Sequence, residues 1–211
     1  MYNAASARDL RYAGQVLCGG AVVFMIGAFS AAYFRGQPPA DTLEKLRLIA
    51  GDPIGWTAQA ILFPIAMAIV AGAFGLIAAR MTPRQAQRIA IASAALSVVA
   101  CLLWLPISVM RLQLGSASAG MLQTFDARTT QIALQSFTFW PYTAATLLSL
   151  ALMGAALALG GVLRRLGRVV AALAALCLCV VAPLWGDWPP FFSYLFTLAL
   201  SIGLIRSRAL P

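Results

Sequence analysis

Apolar residues gather in six long runs along this chain, at residues 12–34, 54–79, 89–110, 139–163, 169–185 and 190–205. A helix needs about 20 mainly apolar residues to cross the hydrocarbon core of a bilayer. Each run therefore predicts one transmembrane helix. The fifth and sixth are the shortest, and Trp185, Gly186, Asp187, Trp188, Pro189 and Pro190 divide them. Gly186 and the proline pair do not readily continue a helix, so this stretch predicts a tight hairpin. A fused fifth and sixth run would make one helix far longer than a bilayer is thick. The pattern predicts an all-α, polytopic membrane bundle of six transmembrane helices in a single domain, 1–211.

Two connections carry helical patterns of their own. Asp41 and Glu44 have capping-box spacing, Leu43, Leu46 and Ile49 share one helical face, and Gly51 is a natural stop. A short amphipathic helix at the membrane interface is expected there, and capping accounts for the two carboxylates without acid–base chemistry. In the 112–138 connection, Met121, Phe125, Ile132 and Phe137 recur at roughly helical intervals among polar residues. Either an amphipathic helix lying on the surface or an extension of the fourth span fits that spacing. The first apolar run outlasts the 7–15 residues of a signal-peptide core, so it is expected to remain as a span.

Composition agrees with lipid as the solvent. The chain is 62% hydrophobic and 10% charged, against about 25% charged in average soluble domains, and its mean hydropathy is +0.87. A net charge of +9 brings nucleic acid to mind, but the basic residues flank apolar runs in small groups and form no single patch. They set orientation instead. Arg8, Arg11, Arg80, Arg84, Arg88, Arg164, Arg165, Arg168, Arg206 and Arg208 fall on one set of alternate connections. Arg35, Lys45, Arg47, Arg111 and Arg128 fall on the other, together with Asp41, Glu44, Asp52, Asp126 and Asp187. The positive-inside rule places both termini in the cytoplasm. The composition points to a bacterial inner membrane.

Candidate chemistry is sparse. The chain has no histidine, the commonest general base and a frequent metal and haem ligand. Cys18, Cys101, Cys177 and Cys179 all lie inside apolar runs without metal-ligand spacing, and read as small packing residues. No run carries a charge at its centre, which argues against proton pumps, ion-coupled transporters and intramembrane proteases. Gln59, Ser97, Thr143, Thr146, Ser149, Ser193, Thr197 and Ser201 are among the deepest polar groups, able to bond across helices. Small residues recur at four-residue spacing, as at Ala68 and Gly72, Ala71 and Gly75, and Gly154 and Ala158, and are expected to pack helices within the chain.

The remaining asymmetry is aromatic. Trp56, Trp104, Trp140, Trp185 and Trp188 all lie toward the ends of the runs opposite the arginine-rich connections. Proline shares the bias, and Pro64, Pro106 and Pro183 inside apolar runs are expected to kink their helices. Trp56, Trp104, Trp140, Trp185 and Trp188 with Asp187 are therefore the candidate ligand- or partner-binding residues; no catalytic residue, metal site or cofactor is expected. The expected function is that of a non-catalytic accessory or structural subunit packing against another membrane protein. The alternative is a transporter or receptor holding an apolar or amphiphilic molecule in an outward-facing aromatic pocket, with Trp104, Trp140 and Trp185 turned into one cavity. Expected partners are membrane lipids and another integral membrane protein or a second copy, and no nucleic acid.

Overall fold

The computed structural model describes residues 4–32, 41–126, 138–186 and 188–207, and every regular element among them is helical. Helix α1 spans Ala4–Ser30, α2 Thr42–Gly51, α3 Pro53–Arg80, α4 Arg84–Gln123, α5 Phe139–Leu159 and α7 Pro190–Arg206. Between the last two, α6 begins as Arg164–Leu176, loosens into a π turn over Cys177–Val181 and closes with Ala182–Trp185. Helices α1, α3, α4, α5 and α6 are long and apolar enough to cross a membrane; α7 is apolar but shorter, at 17 residues. Their outward faces carry Val22, Ile26, Ile61, Ile65, Val98, Leu102, Leu173 and Leu176 in the open. Soluble monomers rarely expose such continuous apolar surface, and a membrane protein does.

The helices pack in a ring: α7 against α1, α1 against α3, α3 against α4, α4 against α5. Helix α6 lies on α5 and meets α7 only sparsely, although a short hairpin joins the two. At one end Arg80 Nε pairs with Asp9 Oδ2 at 3.0 Å, Arg11 donates to the Ser207 carbonyl at 3.5 Å, and Ser207 Oγ donates to the Val162 carbonyl at 3.4 Å. Those contacts draw the start of α1, the ends of α3 and α7 and the α5–α6 turn into one arginine-rich end. At the opposite end Asp52 caps α3 by accepting from Gly55 N (3.0 Å) and also accepts from Ala32 N (2.7 Å), which fastens the end of α1.

The core is built around a layer of rings, one from each helix of the ring. Tyr194 (α7) stacks on Phe24 (α1) at 3.6 Å between centroids, and Phe24 stacks on Phe63 (α3) at 4.2 Å. Phe63 leans on Trp104 (α4) at 5.6 Å, and Trp104 on Tyr142 (α5) at 4.5 Å. All five are buried. Each such pair contributes about 0.5–1.5 kcal/mol beyond area burial, whereas an exposed ion pair such as Arg80–Asp9 contributes about 0–1 kcal/mol. The layer and not the arginine end holds the bundle together.

Two helix ends differ from the sequence pattern for visible reasons. Helix α4 does not stop near residue 110 but continues to Gln123, so the start of the 112–138 connection extends the third apolar helix rather than the fourth. Leu114, Met121 and Leu122 explain this: with Trp56, Ala31 and the α2 residues Leu46 and Ile49 they form a second apolar cluster. Ile132 and Phe137 lie outside the described residues. Helix α2 forms as the capping spacing predicts, Asp41 accepting from Glu44 N at 2.9 Å. Helix α5 ends at Leu159, not 163, because Gly161 turns left-handed (φ 76) and Val162 N bonds back to the Leu157 carbonyl at 3.1 Å.

Of the small-residue rows, Gly154 and Ala158 on α5 meet Gly167 on α6, and a Cβ built on Gly154 would sit 2.6 Å from the Gly167 carbonyl oxygen. Ala68, Gly72 and Gly75 face outward, and a Cβ on either glycine would meet nothing. Opposite outcomes are expected. Gly154→Ala forces backbone apart and should lower stability by about 1–3 kcal/mol; Gly72→Ala removes a flexible residue from a helix interior and should raise it by about 0.5–1 kcal/mol. Thermal unfolding in detergent compares the two.

Candidate functional site

The structure divides the five tryptophans among three places. Trp56 and Trp104 are buried together at one centre; Trp185 and Trp188 border a groove between α6 and α7; Trp140, 44% exposed, stands on the surface of α5 beside Phe139. Trp104 is fully buried while Trp185 is 62% exposed, so Trp104, Trp140 and Trp185 do not line a common cavity. Asp187 lies outside the described residues.

The first centre forms because α4 continues past residue 110. That places Arg111 seven residues after Trp104, two turns along one helix face. Its guanidinium carbon lies 5.2 Å from the Trp104 ring centroid, 5.4 Å from Trp56 and 5.7 Å from Phe63, within cation–π range of all three. Arg111 also donates to Gln59 Oε1 at 2.6 Å, and the Trp56 indole donates to the Arg111 backbone carbonyl at 2.7 Å. Trp56 and Gln59 both belong to α3, one turn apart. Helices α3 and α4 are thus clamped by a charge-assisted bond, an indole bond and three ring faces. Around the clamp, Gln59 Nε2, Trp104 Nε1, Ser108 Oγ and Tyr142 Oη are buried without a hydrogen-bond partner among the described residues.

The second place is a groove of about 200 Å³ lined by Cys177, Val181, Trp185, Trp188, Phe192, Leu195 and Phe196. Its geometry follows from Pro183 and Gly186. Pro183 cannot donate to the fourth residue before it, and its ring crowds that carbonyl. The preceding turn widens to the π form, with Ala182 N bonding the Cys177 carbonyl. Gly186 then ends the helix at φ 66, and Pro190 starts α7. Trp188 is turned inward, its indole donating to Ser193 Oγ at 2.9 Å. Helices α6 and α7 leave the hairpin without closing on each other, and their facing side chains are apolar or aromatic.

No cluster of histidine, cysteine or carboxylate side chains among the described residues has the make-up of a metal site. Comparison with protein-family models, curated proteins and solved structures finds no match to this chain.

The Arg111–Gln59 pairing is the feature that the run pattern alone passes over, since Arg111 there closes a span and faces a loop. The sign available was spacing: Trp104, Ser108 and Arg111 fall on one helical face, as do Trp56 and Gln59. The clamp makes a clear expectation. Trp56→Phe keeps an aromatic ring but loses the indole bond to the Arg111 carbonyl and part of the packed volume, and should lower stability by about 1–3 kcal/mol. Trp140→Phe on the exposed face of α5 should stay within about 0.5 kcal/mol of the parent. Unfolding midpoints of the two single variants in detergent test the contrast.

Proposed function

We propose that this chain is a six-span protein of a bacterial inner membrane, with α7 as the sixth span and the arginine-rich end in the cytoplasm. At its tryptophan end it holds the apolar part of an amphiphilic molecule in the α6–α7 groove. The observation that carries this reading is the groove itself: about 200 Å³ of space bounded by apolar and aromatic side chains, between two helices that a hairpin joins and that pack on each other only sparsely. Sites for small apolar molecules are concave, aromatic-lined and placed between the helices of bundles. With no charged side chain among the described lining residues, the groove selects for a hydrocarbon or ring system and leaves any polar head to the interface, where Trp185 stands exposed. The activity this supports is binding, as in a receptor or transporter, without covalent chemistry.

A second reading, an accessory subunit that packs against another membrane protein, is favoured by the outward row of Ala68, Gly72 and Gly75 on α3, which no helix among the described residues covers. Close helix approach in membranes uses such rows.

Two measurements test these readings. Native mass spectrometry after mild-detergent purification should retain a lipid or other apolar molecule on the parent chain, and Val181→Trp, which fills the groove, should lose it with the fold intact. A parent chain that carries no such molecule but retains a stoichiometric membrane protein favours the second reading instead. For orientation, single cysteines placed at the exposed positions 84 and 189 in a cysteine-free background should label from opposite faces in spheroplasts with a membrane-impermeant maleimide. Labelling of both from one face rejects the proposed topology.

A further inference from the structure

On the arginine side of the ring layer, a cavity lies between α3, α4, α5 and α7. It gives the centre of a water molecule about 20 Å³, and one water needs roughly 10–15 Å³ on that measure. Size alone does not decide whether such a space is wet, because cavities lined by hydrocarbon stay dry. The lining decides it.

Three hydroxyl-bearing side chains from three different helices line this space, Ser97 of α4, Thr146 of α5 and Tyr194 of α7, and the Thr146 hydroxyl is buried without a hydrogen-bond partner among the described residues. Two further hydroxyls in the lining already donate, Ser149 to the Ser93 carbonyl at 2.8 Å and Thr197 to the Ser193 carbonyl at 3.0 Å. Their oxygens keep lone pairs that accept. The cavity therefore offers a water both donors to accept from and acceptors to donate to, and a buried water characteristically makes about three such bonds. Left dry, the Thr146 hydroxyl would be unpaired in the apolar interior of a membrane bundle, the costliest place for it.

We infer that this cavity is a hydration site that holds a single ordered water, bonded to the hydroxyls of Ser97, Thr146 and Tyr194. Helices α4 and α7 are not among the pairs that pack directly, so the water joins two walls of the ring that side chains alone leave apart. The inference does not depend on the α6–α7 groove.

The test uses the intact chain in lipid nanodiscs and water as the probe. Magnetisation transfer from long-lived water to the Val70 and Leu150 methyl groups, which line the cavity and do not exchange protons, is expected in the parent protein. Tyr194→Phe keeps the ring stacked on Phe24 and removes only the hydroxyl. With water present the variant loses one of that water's bonds, and its unfolding midpoint should fall by about 2–4 °C; in a dry cavity it sheds a buried hydroxyl that bonds no water, and the midpoint should hold or rise. Water contacts at both methyls together with a lowered midpoint support the inference. Absent water contacts, or a Tyr194→Phe midpoint equal to or above the parent's, overturn it.

Discussion

A peptide N–H or C=O that cannot reach water must find its partner inside the chain. With one residue in ten charged and apolar side chains over most of its outer surface, this polypeptide meets that demand by winding into helices. Their ends are handled locally: Asp41 and Asp52 accept from the first turns of α2 and α3, and Gly161 and Gly186 reverse the chain after α5 and α6. Once every backbone group is paired within its own helix, what remains to be specified is which helix lies beside which.

Burial from water contributes little to that choice where the surrounding medium is as apolar as leucine; shape and polar contacts decide it. The ring layer supplies the shape, with Tyr194, Phe24, Phe63, Trp104 and Tyr142 each placed by a different helix. Polar contacts supply the register. Arg111 and Gln59 fasten α3 to α4 toward the tryptophan end. Deeper in the bundle, Ser93 and Ser149 donate to each other's carbonyls at 2.7 and 2.8 Å, which fastens α4 to α5. At the α5–α6 crossing Gly154 and Gly167 bring backbone against backbone.

Much of this was legible from the residues. The apolar runs gave the long helices, Asp41 with Glu44 gave α2, and Gly186 with the proline pair gave the hairpin. Missed features share one cause: they depend on contacts between segments distant in sequence. The extension of α4 to Gln123 is held by Trp56, Leu46 and Ile49, and a window centred on residue 115 contains none of these. For the same reason five tryptophans alike in position along their runs end up in three environments. Trp104 and Trp185 each lie near the end of an apolar run, yet one is at the centre of the ring layer and the other on the surface. Helical phase separates them, and phase becomes meaningful only when neighbouring helices are in place.

The π turn at Cys177–Val181 bears on that phase. An α-helix advances each residue by about 100° around its axis, and a turn with a wider repeat holds one residue more than its α counterpart. Everything after it is set back by roughly a quarter of a revolution. Val181 and Trp185, which border the groove, sit within or beyond that slip, whereas Gly167 and Val170, which pack inside the bundle, precede it. One polypeptide rod therefore presents two azimuths: its first half is keyed to α5, and its last turns are aimed elsewhere. Shortening the segment by a single amino acid would restore a common azimuth and rotate the indole of Trp185 away from the α7 side, leaving the crossing with α5 untouched.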